Sequence, residues 1–139
     1  MYEPIRTKSV HSTVADSASE FPHRSRGEEL DIQLAGHLSA LLAVTDELRG
    51  LTPSADLDTA AERLAGELSR LRGSHAPARA VPAAAGDPAA LHQRAHALAG
   101  RALVVAASRA DTAAAILAAE RMDAHTAALA DPKELSATH

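Results

Sequence analysis

The sequence predicts an all-α fold, an antiparallel helical bundle in which four helices are favoured. Three observations carry that expectation. About a quarter of the 139 residues are Ala, which together with Leu favours helix. Only Tyr2 and Phe21 are aromatic, so the residue types that strands prefer are scarce. Two stretches also carry leucines at helical spacing, joined by a short connection with its own stop and start signals. A chain of this length makes one domain with a single modest core of Leu, Val and Ala, whose helices must approach closely.

Residues 1–26 are rich in Ser, Thr, His and charge, lack helical periodicity, and read as an arm ahead of a bundle over 27–130. Tyr2 and Phe21 both lie in this arm, although segments without structure are depleted in aromatics. They are expected either to pack on one end of the bundle or to dock another protein.

The first helix, about 28–50, places Leu30, Leu34, Leu38, Leu41, Val44, Leu48 and Leu51 on one face. In "GLTPSADL", Gly50 reads as the stop, Thr52 as an N-cap and Pro53 as the first residue of a second helix, about 53–72. That helix carries Leu57, Ala61, Leu64, Leu68 and Leu71, and the short connection makes the pair antiparallel. "GSHAPARAVPAAAG", residues 73–86, is a loop because its prolines and small residues cannot sustain a helix. Asp87 and Pro88 then open a third helix as N-cap and first residue. Residues 131–139 are a tail.

Between 87 and 130 two readings compete. Leu91, Ala95, Leu98, Ala102 and Val105 form a stripe that, continued, meets Arg109, Thr112, Ile116 and Glu120. One long helix would therefore carry two charges in its apolar seam, about 16 Å apart by helical rise. Unpaired burial of either costs several kcal/mol, comparable to the stability of a small bundle. Two such helices crossing antiparallel would set Arg109 of one chain beside Glu120 of another, making a dimer of hairpins each with one long C-terminal helix. The favoured alternative is a turn over 108–111 with Asp111 as N-cap, dividing the stretch into helices of about 87–107 and 111–130.

Charge and motif exclude more than they assign. A net charge of −4 with both signs interspersed offers no basic groove for nucleic acid. No apolar run approaches the roughly 20 residues that span a bilayer, so no membrane role is expected and the cytoplasm is the default location. Twelve Arg against two Lys reads as the coding bias of a GC-rich, bacterial genome. Without Cys there is no disulfide, thiolate nucleophile or Cys-based zinc site.

His37 falls between Leu30 and Val44 on the first helix's apolar face, where it reads as a core or rim residue or as an inward ligand. His92 and His96 in "HQRAH" lie one turn apart, a spacing that suits two metal ligands but equally a boundary position half in solvent. With His37 or His125 as a third ligand, a divalent transition metal would be the cofactor. Otherwise no cofactor is expected. HExxH is absent, the only Glu-x-x-His is "EFPH" in the arm, and no phosphate loop or nucleophile elbow occurs. Arg63, Arg70, Arg72 and Arg79 read as cations stabilising the end of the second helix. Ala113, Ala114, Ala118 and Ala128 permit close helix contact within or between chains. The expectation is a non-enzymatic protein acting through protein contacts, including self-association, with Arg109, Glu120, Tyr2 and Phe21 as interaction residues. The alternative is a metal- or small-ligand-binding bundle using inward-facing histidines.

Overall fold

Ser25 opens the first helix through a capping box: its hydroxyl accepts from the Glu28 N–H at 3.1 Å, while the Glu28 carboxylate accepts from the Ser25 N–H at 2.8 Å. In the computed structural model, which describes residues 25–73, 79 and 86–131, this helix is α1, Arg26–Leu51. It is followed by α2 (Ala55–Leu71), α3 (Pro88–Arg109) and α4 (Thr112–Ala130). The four helices form an all-α bundle, and no strand occurs among the described residues. Tyr2 and Phe21 lie outside the described residues.

The connection after α1 departs from the expected punctuation. Gly50 stays helical, and Thr52 ends α1 by directing its N–H to the Leu48 carbonyl at 2.7 Å. Pro53 follows, and a residue before proline is pushed out of the α region. The N-cap of α2 is therefore Ser54, whose hydroxyl accepts from the Leu57 N–H. Asp87 and Pro88 open α3 as expected, with the Asp87 carboxylate accepting from the Ala89 N–H.

The core is asymmetric. α1 and α2 supply the bulk through Leu34, Leu38, Leu41, Leu42, Leu48, Leu64 and Leu68, whereas α3 and α4 supply mostly Ala95, Ala99, Ala102, Ala106, Ala114 and Ala118. Alanines let α3 lie close to α1 on one side and α4 on the other. The buried face of α3 is accordingly rotated from the expected stripe: His92, Ala99 and Ala106 turn in, while Leu91 and Val105 ride at its margins.

Between α3 and α4 the chain turns. Ala110 adopts the left-handed conformation, φ 59° and ψ 35°. The Asp111 N–H reaches back to the Ala106 carbonyl at 2.8 Å and the Ala110 N–H to Ala107 at 3.0 Å, which is Schellman closure. The Asp111 carboxylate then accepts from the Ala114 N–H, capping α4. This turn resets the helical phase, so Ala114, Leu117, Ala118, Arg121 and His125 face inward and Ile116 and Glu120 face out.

Both charges of the continuous-helix reading are thereby engaged within the chain. Arg109 lies over Gly27, where an added Cβ would stand 3.0 Å from its Cζ, and donates to Asp31 on α1 at 3.0 Å. Glu120 pairs with Arg63 on α2 at 2.7 Å. The unbroken helix on which an Arg109–Glu120 contact between chains depends is not the one this chain adopts.

α2 and α4 meet only sparsely, and their seam is ionic. Asp56, Arg63 and Arg70 recur every seven residues on one face of α2, and pair respectively with Arg121, Glu120 and Asp111. Arg70 also engages Glu67. The arginines expected to serve only the dipole at the end of α2 thus work across helices, and Arg79 grips the buried Asp46 of α1 with Nε and NH2, each at 2.8 Å. The backbone N–H of Arg72 closes α2 on the Leu68 carbonyl.

Candidate functional site

At one end of the α2–α4 seam the bundle opens into a pocket of about 360 Å³. Leu57, Ala124, Ala127 and Ala128 supply apolar wall, Ser54, Asp56 and Asp131 bring polar groups, and His92, Arg121 and His125 bring buried ones. Each element delivers its residue by helical phase. His125 and Arg121 share the inward face of α4 one turn apart, His92 is on the inward face of α3, and Asp56 sits in the first turn of α2, where the helix dipole favours a carboxylate.

These side chains form one directional chain of hydrogen bonds. Arg121 NH1 reaches both Asp56 oxygens, at 3.1 and 3.2 Å, while NH2 points at His125 Nε2 across a longer 3.4 Å. His125 Nδ1 faces His92 Nδ1 at 2.9 Å. Because a guanidinium can only donate, His125 Nε2 must carry its lone pair. Its proton is then on Nδ1 and is donated to His92, whose Nδ1 accepts. That pattern sets the two imidazoles in opposite tautomers.

Electrostatics agree with that assignment. Burial pushes the His125 pKa down from 6.5 to about 3, and the Arg121 charge adds to the effect. Arg121 is itself only 5 % exposed, and its Nε is buried with no hydrogen-bond partner among the described residues. Asp56, the carboxylate that balances it, is 64 % exposed.

No family model, curated protein or solved structure matches this chain.

The histidines sort differently from the sequence expectation. His92 is buried in the core rather than at a half-solvated boundary, and its partner is His125 on the neighbouring helix, not His96 one turn away. His96 and His37 are each half-buried and line none of this pocket. Among the described residues no group of three or more His, Asp or Glu side chains is placed to hold a metal ion, so His37, His92 and His96 are not assembled into one set. Chemistry points the same way at the His92–His125 pair, where the adjacent guanidinium opposes a cation. Spacing alone does not mark Arg121 and Asp56 as site residues, because an Arg five residues before "TAALA" looks, in sequence, like any surface cation. The available signal was phase: Leu117, Arg121 and His125 share a face.

A second concavity, about 390 Å³, lies beside the α3–α4 turn and is lined by Ala106, Ala107, Ala110, Asp111, Thr112, Ala115, Ile116 and Ala119. Ile116 and Val104 are exposed large apolar side chains on these two helices. No described helix is long and apolar enough to cross a membrane.

Proposed function

We propose that the protein is a non-catalytic binding module whose ligand site is the pocket at the end of the α2–α4 seam. The observation that carries this reading is Arg121, a guanidinium 5 % exposed at an open pocket and balanced only by a solvated carboxylate. Burying a charge is costly unless it is well paired and hydrogen-bonded, and Arg121 has only a solvated counter-ion. Catalysis is the weaker reading of the same geometry. A general base works best with a pKa near the operating pH, whereas His125 is held near 3 and its Nε2 lone pair is turned to Arg121. The histidines instead orient the guanidinium from behind.

The test is a two-dimensional NMR titration of labelled protein with hexanoate, hexanamide and hexylamine. Binding at this site shifts the amides of Asp56, Leu57, Arg121, Ala124 and Ala128 together. Absence of such shifts with all three probes would overturn the reading.

Self-association is a second reading, supported by a separate observation. Ile116 projects from the same surface that contains the alanine-lined concavity, so two copies related by a two-fold axis can each offer the other a knob and a groove. Arg109 and Glu120, already paired with Asp31 and Arg63, would border rather than make such a contact. Sedimentation velocity tests it: Ile116→Asp should convert a concentration-dependent dimer to monomer, and a wild-type monomer at millimolar concentration would end the idea.

A further inference from the structure

We infer that Asp56 closes the pocket as a built-in substitute for its ligand, and that the ligand is a monocarboxylate with a short apolar body that takes Asp56's place on Arg121. The inference rests on the pocket being a ligand site, as proposed above.

The Asp56–Arg121 pair is uneven. Arg121 is buried and meets His125 on its own helix, whereas Asp56 is largely solvated on the first turn of α2. Only one guanidinium nitrogen, NH1, engages Asp56, and it does so with both oxygens at 3.1 and 3.2 Å. The same protein shows what a matched pair looks like. Arg79 meets Asp46 through two nitrogens, each 2.8 Å from its own oxygen. Arg–carboxylate bonds are strongest in that forked arrangement, so the Asp56 contact leaves room for a better partner.

Exchange is also the least costly way to open the site. A buried guanidinium must keep an anion, and a ligand carboxylate that arrives as Asp56 swings into water leaves the number of ion pairs unchanged. His125 meets Arg121 through a lone pair and adds no positive charge there, so the guanidinium offers a single charge to a ligand. Asp56 and Asp131 on the same pocket would repel a dianion such as phosphate at neutral pH. Leu57, Ala124, Ala127 and Ala128 then offer apolar wall to whatever follows the carboxylate, within about 360 Å³.

Asp56→Asn separates this idea from its neighbours, because it removes the competing charge at an exposed position and keeps the side-chain shape. Expected is hexanoate binding about tenfold tighter in Asp56→Asn than in the wild type, read by the same NMR titration and by calorimetry, with hexylamine inert. Arg121→Lys should weaken hexanoate in both backgrounds. Because Asp56→Asn leaves Arg121 without its anion, the variant should also melt lower than the wild type and regain the difference when hexanoate is added. Equal or weaker hexanoate affinity in Asp56→Asn overturns the inference. If hexanamide or hexylamine fills the pocket while hexanoate does not, the inference fails and the binding reading stands. If none of the three reaches the pocket, both fail.

Discussion

His92 and His125 meet Nδ1 to Nδ1 at 2.9 Å between α3 and α4, and Arg121 on the far side of His125 dictates which of the two holds the proton. Protonating His125 would therefore remove the acceptor that Arg121 uses and place a second positive charge beside it.

The consequence for stability has a definite sign. His125 has a folded pKa near 3 against 6.5 in the unfolded chain, so between these values the unfolded state binds the extra proton. Stability is undiminished above pH 6.5 and falls as pH drops from there toward 3, by at most about 1.4 kcal/mol per pH unit from this group. Urea denaturation at pH 7.0, 6.0 and 5.0 should show the loss, ahead of carboxylate protonation. His125→Gln, which keeps an acceptor but cannot titrate, should flatten the slope. Nitrogen-15 spectra should show a neutral His125 ring at pH 5.

Asp111 serves three elements at once. Its N–H closes α3, its carboxylate caps α4, and the same carboxylate accepts from Arg70 of α2 at 2.7 Å. Burial raises its pKa, but the bonds from Arg70 and the Ala114 N–H outweigh that and hold it below 3.8. Asp111→Ala should cost about 1–2 kcal/mol, because cap and ion pair vanish together. Asp111→Asn keeps a capping oxygen and should cost less than half as much. Urea midpoints of the two variants check the ordering, and the contribution should fade in the wild type only below pH 3.8.

Most of the bundle was legible because helices announce themselves by phase. Leu34, Leu38, Leu41 and Leu48 on α1, and Leu57, Ala61, Leu64 and Leu68 on α2, are buried as their spacing requires. A capping box at Ser25 and Glu28 starts α1 at Arg26, two residues before the start that leucine spacing predicts. What spacing could not convey is which of two alanine faces turns inward on α3, since alanine is small enough to lie on either. That ambiguity hid the burial of His92. The candidate site was less legible still, because His92, Arg121 and Asp56 come from three helices and meet only through the α3–α4 turn. Arg79 escapes the spacing argument for a similar reason: its partner Asp46 is 33 residues away on α1 and not at the end of α2.

That Arg79–Asp46 pair gives a further expectation. The Asp46 side chain is 3 % exposed, and burial alone would raise its pKa; the forked bond from Arg79 and a second from Arg49 at 3.1 Å reverse this and hold it below 3.8. Arg79→Gln leaves Asp46 with Arg49 alone and should cost about 1–3 kcal/mol. Because the carboxyl pKa then rises, the acid limb of unfolding should begin at higher pH in the variant. Adding Asp46→Asn should recover part of the loss, as a neutral amide is cheaper to bury than an underpaired carboxylate. Thermal melts of the single and double variants at pH 7 and pH 4 measure both effects.

The α3–α4 turn rests on an alanine where glycine is the usual choice, and this permits a test by sign alone. A left-handed conformation costs an L-residue about 1–2 kcal/mol, while glycine adopts it freely but gives up more entropy on folding. At Ala110, with φ 59°, the first effect should win, so Ala110→Gly should stabilise by about 0.5–1 kcal/mol. Ala107→Gly, three residues earlier and exposed within α3, should instead destabilise by about 1 kcal/mol, the ordinary penalty of glycine inside a helix. Opposite signs in urea denaturation confirm that the chain turns at Ala110. Equal losses at both positions would mean a helix running through the turn. Arg109 would then return to the apolar stripe with Ile116 and Glu120, and its charge would require a partner chain.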